Sequence, residues 1–138
     1  MRSTDRFVTD ADRCRLGNLL TSREGQAWGN QRRRSKLYSF LEDAVPIKPC
    51  DAPETLITMN TTIELVDLKS GARRVLTLVY PRDLDLVPDG VSVLKPLGVA
   101  LIGCQIGDVI EWSEGNRKHR MRVAKIVHQP EYAEMWHL

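Results

Sequence analysis

Three histidines, three cysteines, one loop carboxylate and a run of arginines are the side chains best suited to chemistry in this sequence, and their spacing limits what they can do. His119, His128 and His137 have no glycine-framed serine, HExxH or CxxC pattern near them, whereas acid-base or nucleophilic catalysis needs convergent partners. Cys14, Cys50 and Cys104 are odd in number and far apart, which suggests neither a disulfide framework nor a zinc knuckle. Free cysteines more often serve as small hydrophobes. We therefore expect no intrinsic catalysis, no metal, no cofactor and no small-molecule substrate. Arg32, Arg33 and Arg34 form a basic cluster that offers itself to nucleic acid or to an acidic protein surface, although such runs are usually solvated helix faces. Just before it, Arg23, Glu24 and Trp28 occupy a polar loop with two glycines. Trp28 there is either an interface anchor or tucked against its neighbours, and Glu24 is a lone carboxylate.

With 138 residues, 42% of them hydrophobic, the chain has material for one modest core and a small appendage. Residues 1 to 50 carry ten Lys/Arg against six Asp/Glu, and residues 51 to 138 carry ten against twelve. Any polyanion contact is thus expected at the N-terminal part, while the net charge of +2 gives no bulk reason to expect a dedicated nucleic-acid binder. No apolar run approaches the roughly 18 residues of a membrane span, and Met1 to Arg6 lacks the apolar stretch of a signal peptide. A soluble cytoplasmic protein without membrane association is the expectation.

The elements that must position these residues follow from periodicity. Thr9 is a candidate N-cap with Asp10 and Asp12 in the first turn, and Leu16, Leu19 and Leu20 share one face of a helix ending near Leu20. Leu37, Phe40, Leu41, Ala44 and Val45 form the stripe of a second helix that stops at Pro46. The two make a short αα-hairpin, a truncated coiled coil, over residues 1–48. Pro46, Pro49 and Pro53 stiffen the linker to a second domain, residues 49–138. There the period becomes extended: strands are expected at Leu56 to Met59, Thr62 to Leu68, Arg73 to Tyr80 as a central strand, and Val91 to Leu94. A short helix runs from Pro96 through Ile102, and a final hairpin pairs Val109 to Trp112 with Arg120 to Val127. The fold class is α+β: a helical hairpin followed by a mostly antiparallel sheet domain with one short helix.

One block is more specific than any element. Val91 to Gly103, followed by Ile106, Gly107 and Asp108, resembles the Gre-factor pattern S-V-x-x-P-[LV]-G-x-A-L-[IL]-G with its following V-G-D. Ile57 to Asn60 resembles V-T-M-N, Thr77 to Pro81 resembles T-L-V-Y-P, and Gln129 to Glu131 is similar to the same position in the Rnk family, the nucleoside diphosphate kinase regulators related to GreA and GreB. This resemblance implies an FKBP-like C-terminal domain that binds the rim of the RNA polymerase secondary channel, an N-terminal coiled coil pointing into the channel, and a link to nucleoside diphosphate kinase levels.

The same resemblance draws attention to a strand-to-helix corner, Lys95, Pro96, Leu97 and Gly98, with Asp108 as a neighbour, as the polymerase-docking site. The plainer reading makes Leu97 a core residue and the corner structural. Gre factors use acidic side chains at the coiled-coil tip to help hold a second Mg²⁺, and hard cations need oxygen ligands. Between Thr21 and Gly29 this chain offers Glu24 alone. We expect a non-enzymatic regulator, with Arg23, Glu24 and Trp28 at the hairpin tip and weak nucleic-acid contact through Arg32 to Arg34. A transcript cleavage factor, a prolyl isomerase and a basic nucleic-acid-binding module are the alternatives. The isomerase would need a deep aromatic-lined pocket, hard to furnish from 6% aromatic residues.

Overall fold

A computed structural model describes residues 6–23 and 31–131, with no side chains described at 31–33. Strand β1 (Phe7–Thr9) runs into helix α1 (Asp10–Thr21), and α2 (Gln31–Asp43) runs into β2 (Val45–Ile47). Thr9 caps α1 as its position predicts, its Oγ1 accepting the Asp12 N–H at 3.1 Å, which satisfies one of the donors a helix start leaves open. Leu16 and Leu19 of α1, Leu37, Phe40 and Leu41 of α2, and Ala44 just beyond it are buried.

Val45 does not complete the stripe. Proline disfavours helical backbone in the residue before it, so α2 ends at Asp43, and Val45, 40% exposed, enters β2. There the chain pairs in parallel with β1, Phe7 opposite Val45 and Thr9 opposite Ile47. The helices are therefore closed at their foot by a small parallel ladder.

Beyond the prolines, β3 (Thr62–Asp67), β4 (Arg73–Val79), β5 (Gly90–Ser92), α3 (Pro96–Leu101), β6 (Val109–Glu114) and β7 (Arg117–His128) build one sheet of order β5-β4-β3-β7-β6. The expected strand at Leu56 to Met59 is replaced by a single bridge, Leu56 to Gln105, and a turn. The Thr58 N–H donates to Thr61 Oγ1 at 3.1 Å and the Thr61 N–H to the Thr58 carbonyl at 3.3 Å, with Asn60 at φ 66°. Local side-chain hydrogen bonding has displaced the extended pairing. β5 likewise stops at Ser92, whose Oγ takes the Leu94 N–H and whose carbonyl takes that of Lys95. β5 runs parallel to β4, so the sheet is not wholly antiparallel. β4 is paired on both sides, an interior strand as expected, next to β3 in the middle of the sheet.

α3 packs on the core face of the sheet, burying Leu97 and Leu101 with Ile63, Leu65, Leu78 and Val123. Phe40, Leu37 and Leu16 of the helices belong to the same continuous core, which thus crosses the proline linker. Two glycines set these distances. At Gly98 a Cβ would collide with the Ser92 carbonyl oxygen and stand 2.7 Å from Val93 Cα, and at Gly103, where φ is 81°, it would meet the Phe40 ring at 2.5 Å. Rigid backbone meets the first, and a ring of α2 covers the second. Gly98→Ala should therefore cost about 1–3 kcal/mol as an overpacking change, read as a lower urea midpoint with unchanged slope. A variant as stable as the parent would show that the corner can relax around a methyl group.

Candidate functional site

The proposed corner divides sharply by exposure. Lys95 is exposed and caps α3, its carbonyl accepting the Val99 N–H at 2.9 Å. Pro96 is half-buried at the first helical position, whereas Leu97 is only 2% exposed and Gly98 is buried. Leu97 therefore belongs to the core and presents no apolar patch to a partner. Asp108 is partly buried and holds its own turn, Oδ2 accepting the Gln105 N–H at 2.9 Å while its N–H donates to the Gln105 carbonyl at 3.0 Å. What the corner offers outward is the Lys95 ammonium and one face of Pro96.

Arg23 is exposed just past α1. Glu24 and Trp28 lie outside the described residues, and the side chains of Arg32 and Arg33 do as well. Arg34 is partly buried beside a shallow depression lined by Leu20, Thr21, Tyr38 and Ser39, and its Nε is buried without a hydrogen-bond partner among the described residues. At least one member of the basic cluster is thus not simply a solvated cation. His119 stacks on the buried Trp112 with ring centroids 4.9 Å apart, and Cys104 is buried while Cys14 and Cys50 are exposed. No group of three or more metal-ligating side chains occurs among the described residues, and no described helix is long and apolar enough to cross a membrane.

A polar cluster that sequence reasoning missed lies where α1 meets the sheet. Asp12, 4% exposed, accepts the Met59 N–H on Oδ2 at 3.0 Å. Thr58 donates its hydroxyl to Glu131 Oε1 at 2.6 Å and shares a 2.8 Å hydrogen bond with Thr61 Oγ1. Gln129 Nε2 donates to the Pro53 and Leu56 carbonyls at 2.6 and 2.8 Å, tying the chain after β7 to the linker. Burial pushes the Asp12 carboxyl up to about 6. The Met59 N–H opposes that rise, Glu131 reinforces it, and Arg15 opposes it weakly. The buried Tyr80 hydroxyl is raised well above the usual phenol range, first by burial and then by Asp12. A signal for this cluster did exist: Thr58 and Met59, Tyr80, and Gln129 and Glu131 come from the three short stretches that carry the Rnk resemblance. Nothing in them announced Asp12 as their meeting point.

The family described as Transcription elongation factor, GreA/GreB, C-term matches residues 52–128. The chain is 32% identical over 128 residues to the regulator of nucleoside diphosphate kinase of Escherichia coli K12, covering 92% of each. It is 28% identical over 97 residues to the transcription elongation factor GreA of Bartonella tribocorum, covering 70% of this chain and 62% of that protein. Among solved structures, a prokaryotic transcription elongation factor GreA/GreB from Nitrosomonas europaea superposes with a TM-score of 0.75 at 33% identity, covering 90% of this chain and all of that one.

The buried carboxyl sets a pH dependence whose sign is fixed. Because the folded value, about 6, exceeds the ordinary 3.8, the protonated form is favoured in the fold. Its stabilisation is complete below about pH 4 and is lost as pH rises through about 6. Asp12→Asn keeps an acceptor for the Met59 N–H without the charge. It should gain on the parent between pH 4 and pH 7 by up to about 3 kcal/mol, measured as the difference in urea midpoints at the two pH values. A difference that does not change with pH would mean that Asp12 is not desolvated as described.

Proposed function

The chain belongs to the GreA/GreB family of transcription elongation factors, and on that premise we propose that it is a non-enzymatic transcription regulator that binds RNA polymerase at the rim of the secondary channel. The observation that carries this reading is the match of residues 52–128 to the Gre C-terminal family, joined to a short helical arm. Residues 49–138, read as an FKBP-like domain, form the docking part, with Lys95 and Pro96 at its contact corner. The hairpin of residues 1–48 stands near the channel mouth and brings the basic side of the chain, Arg23 and Arg32 to Arg34, toward it. The 92% coverage of the Escherichia coli regulator of nucleoside diphosphate kinase supports a similar regulatory role here.

A cleavage-stimulating role fits the chain less well. Helix α1 has 12 residues, which reach about 18 Å at 1.5 Å per residue. Glu24 is the sole carboxylate between Thr21 and Gly29, whereas a divalent cation requires several oxygen ligands.

Since Leu97 is core, a charge there would test folding rather than docking. Lys95 is exposed and tolerates an acidic side chain at a helix N-terminus. Lys95→Glu should weaken binding to core polymerase roughly tenfold with no loss of thermal stability; binding as tight as the parent's would remove the corner from the interface. On stalled elongation complexes the protein should not shorten transcripts, yet in excess it should suppress GreA-stimulated shortening. Mg²⁺-dependent shortening abolished by Glu24→Ala would restore the cleavage reading.

A further inference from the structure

The sheet face turned away from the helices carries charge in a proportion unlike the rest of its domain. Along β7, Met121 and Val123 are buried in the core, so the alternation of a strand puts Lys118, Arg120 and Arg122 on the opposite face. Pairing then skips Ala124, and Lys125 returns to that outer face opposite Glu64. Arg73 of β4 joins them opposite Val66. Five of the ten Lys/Arg of residues 51–138 thus share a face with two carboxylates, Glu64 and Glu111, although that stretch as a whole has ten basic against twelve acidic residues.

Both carboxylates are already engaged, Glu64 with Arg73 at 3.0 Å and Glu111 with Arg120 at 3.3 Å. Lys118, Arg122 and Lys125 form no ion pair among the described residues. Between the charges lie aliphatic side chains, Val66 and Val109 flanking Arg122 in register and Val75 49% exposed.

Protection of a sheet edge covers only part of this pattern, since Lys118 lacks a β3 partner and Lys125 a β6 partner but Arg122 is paired on both sides. Lysines and charges commonly blunt edge strands, but β7 over Arg117 to Arg122 pairs with β6 on one side and, from Met121 on, with β3 on the other. A single-strand nucleic-acid surface would supply aromatic rings for base stacking. Yet Trp112, the aromatic of β6, points into the core at 7% exposure, and the outer positions named above are aliphatic or charged. Arginine is enriched at protein interfaces, and here Arg122 stands between the half-buried Val66 and Val109. Alternate residues of a strand repeat at about 6.6–7 Å, so Lys118, Arg120 and Arg122 match carboxylates at alternate positions of an extended acidic segment.

From these observations we propose that the outer face of the sheet, centred on Lys118, Arg122 and Lys125, is a docking surface for an acidic protein segment. It is separate from the Lys95 corner. α3 lies on the core side of the sheet, so the two surfaces look in different directions and the inference does not depend on polymerase binding.

The test compares fluorescein-labelled dodecaglutamate with a labelled uridine dodecanucleotide on the full chain at low salt. Dodecaglutamate should bind and the RNA should bind less tightly. Lys118→Glu/Arg122→Glu should weaken dodecaglutamate binding by at least roughly tenfold, while Arg32→Ala/Arg33→Ala/Arg34→Ala and Lys95→Glu leave it unchanged; raised salt should weaken it in the parent. Lys118→Ala/Arg122→Ala, which adds no repulsion, should give a smaller loss in the same direction, and circular dichroism should match the parent for every variant. Absent binding, binding indifferent to both pairs of substitutions, or RNA bound as tightly as dodecaglutamate would each overturn the proposal, the last in favour of a nucleic-acid surface.

Discussion

A carboxylate buried at the foot of the helices is the interaction on which the arrangement of the two parts depends. Removing Asp12 from water is unfavourable, and its raised proton affinity expresses that penalty. The Met59 N–H, held outward by the Thr58 to Thr61 turn, offsets part of it. Apolar packing alone would let α1 slide on the sheet at modest cost, since dispersion contacts have no strong directional preference. A buried acceptor with one correctly placed donor does not slide, because any other register leaves both groups unsatisfied. The cap that starts α1, the turn that precedes β3 and the segment after β7 all converge there. The direction of the helical arm is thereby a property of the sheet domain.

The family signature reads differently once its residues are placed. Half of Val91 to Asp108 is buried: Leu97 and Leu101 face the sheet, Gly98 admits the Ser92 carbonyl, and Gly103 admits the Phe40 ring. Asp108 closes a turn. A sequence pattern this long is what a close crossing of strand, helix and neighbouring helix demands, since an added methyl at either glycine meets something solid. Lys95, part of Pro96, Ile106 and Gly107 are what it leaves to be recognised from outside. The signature therefore identifies a scaffold with high specificity and a contact surface with much less.

The same contrast explains what could be read from the sequence. The Thr9 cap, the α2 stripe from Leu37 to Leu41, Pro96 at a helix start and the strands around Asn116 are set by neighbours within a few residues, and periodicity and turn chemistry reveal them. The β1–β2 ladder has three residues on each side, one of them Pro46, and joins segments separated by both helices. No local pattern marks it. The polar cluster joins residues 47 and 73 positions apart, and each member alone reads as an ordinary capping aspartate or loop threonine. The basic face was hidden for another reason. The skipped Ala124 returns Lys125 to the side of Arg122, so strict alternation would have assigned those two cations to opposite faces.

Charge placement then separates two tasks that the total of +2 conceals. Basic residues are concentrated on the helical part and on the outer sheet face, while Asp83, Asp85 and Asp89 cluster in the connection between β4 and β5. A chain polarised in this way orients in the field of a charged partner before contact, and that affects encounter rates and register more than final affinity. In a fold whose arm is fixed to the sheet by Asp12, orienting the sheet also orients the arm. Surfaces of the sheet can consequently set the direction of α1.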